Sequence, residues 1–186
     1  MNYELEIQKY LRSGKTLENL KEEYFISHNQ SKKTPELYSF KYSMIESPLD
    51  EKIACEARSL VLNASDNWNI VCQGFEKFFN YGEGRAPEIN WNLAEVQEKV
   101  DGSLMTAYVY NDKWQVCTTG TPDADCPVGQ FNVTFSDLFF KACKFLPDAK
   151  EHAKYCFMFE LTSPYNKVVV DYKSLNLTPL GSRCLN

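Results

Sequence analysis

The chain has 186 residues, 44% of them hydrophobic and 14% aromatic, enough for one domain with a sizeable core and too few for two comfortable ones. Charged residues make up 24% and no long segment is depleted of apolar side chains, which argues against general disorder. A formal net charge of −5 and a pI near 5.2 argue against a protein that holds nucleic acid by bulk electrostatics, while leaving room for a local basic site.

Seven cysteines (Cys55, Cys72, Cys117, Cys126, Cys143, Cys156 and Cys184) form no C-x-x-C pair, and their odd number speaks against a disulfide framework and a zinc site. The histidines His28 and His152 do not stand at ligand spacing from a cysteine. Reduced, partly buried thiols in a cytoplasmic protein are expected. The N-terminus has charges every few positions and no apolar signal core, and no stretch approaches a membrane span.

In chain order, residues 3–26 read as helical, with apolar stripes at Leu5, Tyr10 and Leu11, then Leu17, Leu20 and Tyr24, broken near Ser13-Gly14. The polar run His28 to Thr34 reads as a loop with two solvated lysines. Leu37 to Met44 alternates as a strand, and Ala57 to Leu62 with Asn69 to Cys72 predicts a hairpin across Asp66-Asn67. Leu104 to Tyr110 is a second strand, with Ala107 and Val109 on one face and Tyr108 and Tyr110 on the other. It should pair with Lys113 to Thr118 across Asn111-Asp112. Residues 121–130 read as a loop and Phe135 to Phe145 as an amphipathic helix. Tyr155 to Glu160, Lys167 to Val170 and Leu177 to Leu180 read as strands. The sum is a strand-rich α+β domain with helices at the start and middle.

The chemistry centres on Glu98-Lys99-Val100-Asp101-Gly102-Ser103. Asp-Gly between apolar runs is a hairpin signal, so taken alone this stretch reads as an exposed turn. A Lys-x-Asp-Gly match also arises by chance on the order of a few per cent of the time in a chain this long, so it needs company. Three further stretches supply it: Glu56-Ala57-Arg58 on a strand, the aromatic, basic and acidic mixture Phe75 to Glu83 (FEKFFNYGE), and the carboxylate Glu160 inside the apolar strand FMFEL. Each has a plainer reading as a surface charge or a half-exposed edge.

In this order the four stretches resemble the motifs of phage-type RNA ligases, the family of the tRNA-repair ligase of T-even phages, from about Leu37 to the C-terminus. The resemblance implies an antiparallel-sheet-rich nucleotidyltransferase (adenylation) domain, with residues 1–36 as an N-terminal helical segment and 37–186 as a partial adenylation domain. It implies that Lys99 takes AMP from ATP and passes it to an RNA 5′-phosphate, from which a 3′-hydroxyl displaces it. Glu98, Asp101, Gly102, Arg58, Lys77, Phe79 and Glu160 would bind the nucleotide, and Glu160 would also hold Mg²⁺ or Mn²⁺. RNA ends and ATP would be the partners, in RNA or tRNA repair. A DNA ligase or capping enzyme is disfavoured because FEKFFNYGE resembles the RNA ligase branch.

The residue types suit that chemistry. A lysine amine attacks phosphorus only when neutral, and at an ordinary pKa of ~10.4 reaching that form at pH 7 costs roughly 4–5 kcal/mol. Burial and cations such as Arg58, Lys77 and a bound metal ion would lower the cost, and the same cations would stabilise departing pyrophosphate. Gly102 would let backbone approach the nucleotide without a Cβ clash. Glu160 offers a hard oxygen to a metal ion or a ribose hydroxyl.

Some positions depart from the family pattern. Ser59 stands where a glycine usually follows the arginine, and Thr119 where a basic residue usually precedes the hairpin glycine, here Gly120. Neither the family's later glutamate-glycine motif nor its lysine-rich last motif occurs before Asn186. The expectation is a truncated or split ligase with weak ATP binding and slow sealing, its missing motifs supplied by a second polypeptide. The alternative is a ligation-deficient relative that binds nucleotide or RNA ends as a decoy or subunit.

Overall fold

A computed structural model describes residues 3–144 and 146–185. It contains two antiparallel sheets of four strands each. In the first, β1 (Ile26–Gln30), β2 (Leu37–Tyr42), β3 (Leu60–Asn63) and β4 (Asn69–Gln73) lie in chain order. In the second, β5 (Ser103–Tyr110), β6 (Lys113–Thr118), β7 (Tyr155–Thr162) and β8 (Asn176–Cys184) are ordered β6-β5-β7-β8. Helices α1 (Glu6–Arg12), α2 (Leu17–Tyr24) and α3 (Lys52–Glu56) belong with the first sheet, and α4 (Phe135–Ala142) with the second. The architecture is α+β, as the alternation of the sequence implies.

Strand periodicity assigns the faces. On β2, Phe40 packs outward with Leu60 and Leu62 against Leu5, Ile7, Leu11 and Leu20 of the helices. Its neighbours Leu37, Ser39 and Lys41 take the opposite, inner face. The inner faces meet through Leu37, Val61 and Cys72 of the first sheet and Tyr108, Cys117, Cys156 and Met158 of the second. Behind the second sheet, Met105, Ala107 and Leu161 pack on Leu138 and Phe139 of α4. Each fully buried Leu, Ile, Val, Phe or Met among them contributes about 1.5–3 kcal/mol.

Local chemistry explains the element ends. Thr16 and Thr134 start α2 and α4 by accepting the backbone N–H of Asn19 and Asp137 at 3.1 and 3.0 Å. Asn111 and Asp112 both have positive φ (50° and 57°), the two-residue turn whose twist matches that of β5 and β6. Between β3 and β4 the connection is longer, a 3-10 turn at Ala64–Asp66 followed by Asn67 and Trp68, both at positive φ.

The buried carboxylate of Glu56 closes the N-terminus of α1. Its Oε2 accepts the Ile7 N–H at 3.2 Å, and Lys52 Nζ stands 3.6 Å from Oε1. Burial pushes Glu56 up to about 7 from an ordinary 4.5. The folded state thus holds this proton more tightly than the unfolded chain. The stability tied to it is complete below about pH 4.5 and is lost as pH rises through about 7. Glu56→Gln, which cannot ionise, should match the parent in acid and exceed it at pH 8 by on the order of 2–3 kcal/mol. Thermal melts of both proteins across that range read the difference, and parallel curves would contradict it.

Six expectations change, the first being that the segment 1–36 is helical: α2 ends at Tyr24 and β1 occupies Ile26–Gln30. Residues 28–30 are not loop but the end of β1, because β2 offers their backbone a partner that outweighs polar composition. Glu56-Ala57-Arg58 is not on a strand: α3 ends at Glu56, and β3 begins only at Leu60, after a left-handed Ser59. Asp101-Gly102 closes no hairpin and instead leads into β5. Lys167 to Val170 lies outside the sheet, since β8 already occupies the edge of β7 and Asp101 takes the N–H groups of Val169 and Val170. The fourth helix ends at Ala142, and Phe145, which the sequence places in it, lies outside the described residues.

Candidate active site

Where the apolar contacts between the sheets give out, the inner faces open into a cleft of about 1020 Å³. Ser27, Asn29 and Lys41 reach it from the first sheet and Leu104 and Glu160 from the second. Glu98, Lys99, Val100 and Gly102 run along it on the approach to β5, and Arg58, Phe75 and Phe78 complete that side. Three stretches far apart in sequence thus place Arg58, Glu98, Lys99, Gly102 and Glu160 on one cavity.

Arg58 is held from below. Its guanidinium lies 5.0 Å over the Phe78 ring, and Nη1 donates to the Glu76 carbonyl at 3.1 Å. The aromatic motif therefore builds the platform under the arginine. Ser59, next in the chain, sits at φ 50°, a conformation in which glycine is free of the Cβ penalty. Here serine bears the strain, and its buried Oγ has no hydrogen-bond partner among the described residues.

Glu160 follows Cys156 and Met158 on the inner face of β7, at the point where core gives way to cleft. Its Oε1 accepts the Gly102 N–H at 2.9 Å, tying β7 to the stretch that carries Lys99. Burial raises the Glu160 carboxyl above its ordinary value, and the hydrogen bond from Gly102 with the charges of Lys99 and Arg58 offsets only part of that rise. A Cβ on Gly102 would stand 2.4 Å from the Leu161 carbonyl oxygen and 3.1 Å from Glu160 Cγ. The close approach that demands glycine is therefore to strand β7.

Other sequence candidates lie elsewhere. Lys77 and Phe79 line a separate hollow with Glu83 and Arg85, the Lys77 ammonium resting 4.6 Å from the Phe79 ring centroid. Asp101 sits beside the cleft. Its Oδ2 accepts the N–H groups of Val170 and Val169 at 2.8 and 2.7 Å, which with the charge of Lys99 hold its carboxyl below the usual range. It straps residues 169–170 to the Lys99 stretch. Lys41 went unnoticed in the sequence. Its only signal was an alternation that sets it on the face of Leu37 and Ser39, and that signal cannot say what lies opposite.

The RNA ligase family model matches residues 56–184, from the buried Glu56 to the end of β8. An RNA ligase of Rhodothermus phage RM378 is 26% identical over 204 aligned positions, which take in 91% of this chain and 45% of that protein. A protein of Autographa californica nuclear polyhedrosis virus, named as a bifunctional polynucleotide kinase/RNA ligase, is 29% identical over 156 positions, 74% of this chain and 22% of its own. The chain thus spans less than half the length of either relative. Among the described residues no helix is long and apolar enough to cross a membrane. The match spans the arginine, Lys99 and Glu160 stretches that the fold gathers on one cleft, and the chain belongs to the phage-type RNA ligase family.

Proposed function

We propose that this chain performs the nucleotidyl-transfer chemistry of an ATP-dependent RNA ligase, with Lys99 as the nucleophile and RNA ends, those of broken tRNA among them, as the acceptors. The observation that carries the reading is the convergence of Arg58, Lys99, Gly102 and Glu160 on one cleft of a chain in this family. The neutral Lys99 amine attacks the α-phosphorus of ATP. A P–N bond forms as the bond from that phosphorus to the bridging oxygen breaks, pyrophosphate leaves, and the amine proton passes to solvent. An RNA 5′-phosphate oxygen then attacks the same phosphorus and releases the lysine. A 3′-hydroxyl finally attacks the RNA 5′-phosphorus and expels AMP.

The side chains divide this work. Arg58, fixed by Phe78 and the Glu76 carbonyl, offers a rigid fork to phosphate oxygens. Glu160, anchored through one oxygen by Gly102, keeps the other for a ribose hydroxyl or a divalent cation. Among the described residues no set of three Cys, His, Asp or Glu side chains gathers to hold a metal ion. Mg²⁺ or Mn²⁺ would thus be held by Glu160 with the nucleotide's own phosphates, a common mode for Mg²⁺. When bound it would neutralise phosphate charge.

Incubating the full chain with Mn²⁺ and ATP labelled at the α-phosphate tests the reading. The expected result is protein-bound label in an acid-labile, base-stable linkage, with one pyrophosphate released per AMP captured. Pre-adenylated RNA, which bypasses the first step, should be joined to a 3′-hydroxyl end. A chain that takes no label would overturn the lysyl-AMP reading, and one that also joins no pre-adenylated RNA would overturn ligation altogether.

A further inference from the structure

The turn after β6 is pinned to the first sheet. The Gly120 carbonyl accepts hydrogen bonds from Asn29 Nδ2 at 2.7 Å and Ser39 Oγ at 3.0 Å. Within the turn, Thr118 Oγ1 accepts the N–H groups of Gly120 and Thr121 at 3.2 and 3.0 Å, so the loop is held from both sides. Lys41 is two residues beyond Ser39 on β2 and shares its face. The bond at Ser39 therefore delivers Lys41 to the same turn, where its Cδ lies 3.5 Å from the point a Cβ on Gly120 would occupy.

Lys41 and Thr119 line the main cleft with Arg58, Lys99 and Glu160, and also share a smaller adjoining hollow of about 180 Å³ with Arg58. Thr119 carries no charge. Among the described residues no carboxylate lies within ion-pair distance of Lys41, and its partner across β1 is Ser27. A lysine on an outward strand face reads as a solubility device. This one, though exposed, follows Leu37 and Ser39 on the inner face and lines a cleft shared with a guanidinium and the Lys99 stretch. Two neighbouring cations without a paired carboxylate make a seat for a polyanion.

We propose that Lys41 is a phosphate-binding residue of this site, reaching the phosphate chain of the nucleotide from the first sheet and supplying the contact that Thr119 cannot make from the second. The inference rests on the lysyl-AMP reading above and adds a residue to it. It also gives β1 and β2 a role at the site, since Asn29 and Ser39 set the distance between Lys41 and the turn.

The test compares the full chain with Lys41→Gln, Lys41→Gln/Thr119→Lys and the control Lys113→Gln, which changes an exposed lysine at the opposite end of β6. ATP and adenosine binding, α-phosphate labelling and thermal melting are read for each. Lys41→Gln should weaken ATP about ten- to a hundredfold, as expected for one charge-assisted contact, with adenosine affinity and melting unchanged. Labelling should slow about a hundredfold. Thr119→Lys in that background should recover ATP affinity at least tenfold, because it returns an ammonium to the same cleft. Unchanged ATP affinity in Lys41→Gln would overturn the assignment while leaving the Lys99 reading intact. So would a parallel loss of ATP and adenosine binding with a lowered melting temperature. If the parent takes no label at Lys99, the lysyl-AMP reading falls, and the contrast between ATP and adenosine still decides for or against the contact at Lys41. A chain that binds neither overturns both.

Discussion

Replacing Lys99 by alanine is expected to abolish capture of AMP, lowering label by more than about 10⁴-fold, to the background of the assay. The reason is chemical. The intermediate is a bond to the lysine nitrogen, and no neighbouring group can lend that atom. Lys99 is exposed and, among the described residues, has no ion pair within 4 Å, so its removal should leave the melting temperature within the range of a surface substitution. Lys99→Arg makes the test sharper. A guanidinium keeps the positive charge but is not deprotonated in proteins, so it can bind phosphate and cannot attack it. If Lys99 only attracted ATP, arginine would preserve function. If it is the nucleophile, arginine should be as inert toward label as alanine while retaining part of the ATP affinity. Label that survives in both variants would move the nucleophile to another amine, with Lys41, the other lysine on the cleft, as the first to examine.

Gly102→Ala should produce the second largest loss, and it should act on fold and chemistry together. The added methyl would meet the Leu161 carbonyl oxygen at 2.4 Å and its carbon at 3.0 Å, backbone atoms of a central strand that cannot swing aside. Either β5 parts from β7 or the stretch before β5 rotates away. Both movements break the hydrogen bond from Gly102 N–H to Glu160 and shift Lys99 relative to that carboxylate. Overpacking of this kind costs about 1–3 kcal/mol, and misplacement by about 1 Å costs on the order of a hundredfold in rate. The prediction is a lower melting temperature together with label reduced at least a hundredfold. Gly84→Ala serves as the comparison, since a Cβ there meets nothing within 4 Å. Normal melting and labelling in Gly102→Ala would show that the strands can move apart freely and that the contact does not matter.

Much of the fold was legible because its signals are local. The positive-φ pair Asn111-Asp112 sits between two alternating strands, and the break at Ser13-Gly14 separates two amphipathic stripes. Such features depend on residues a few positions apart, and turn chemistry fixes them wherever they occur. The expectations that changed concern partners rather than propensities. Ser27, His28 and Asn29 carry no strand preference, yet they form β1 because β2 presents free backbone groups. Val168, Val169 and Val170 carry a strong one, yet they stay out of the sheet because β8 already holds the edge of β7.

The site divides along the same line. By itself the sequence determined which chemistry-bearing residues exist and in what order, from Arg58 through Lys99 to Glu160, and with them the membership of the RNA ligase family. Only the tertiary structure decided which of them meet. It took Lys77 and Phe79 to a separate hollow, turned Glu56 inward to cap α1, and showed that Gly102 is glycine because β7 passes too close for a Cβ. It also brought Lys41 across from the first sheet to a turn almost eighty positions later in the chain. The physical reason is register: a strand's own period sets which side chains share a face, while the packing of two sheets, here through Leu37, Val61, Tyr108 and Met158, sets what that face confronts.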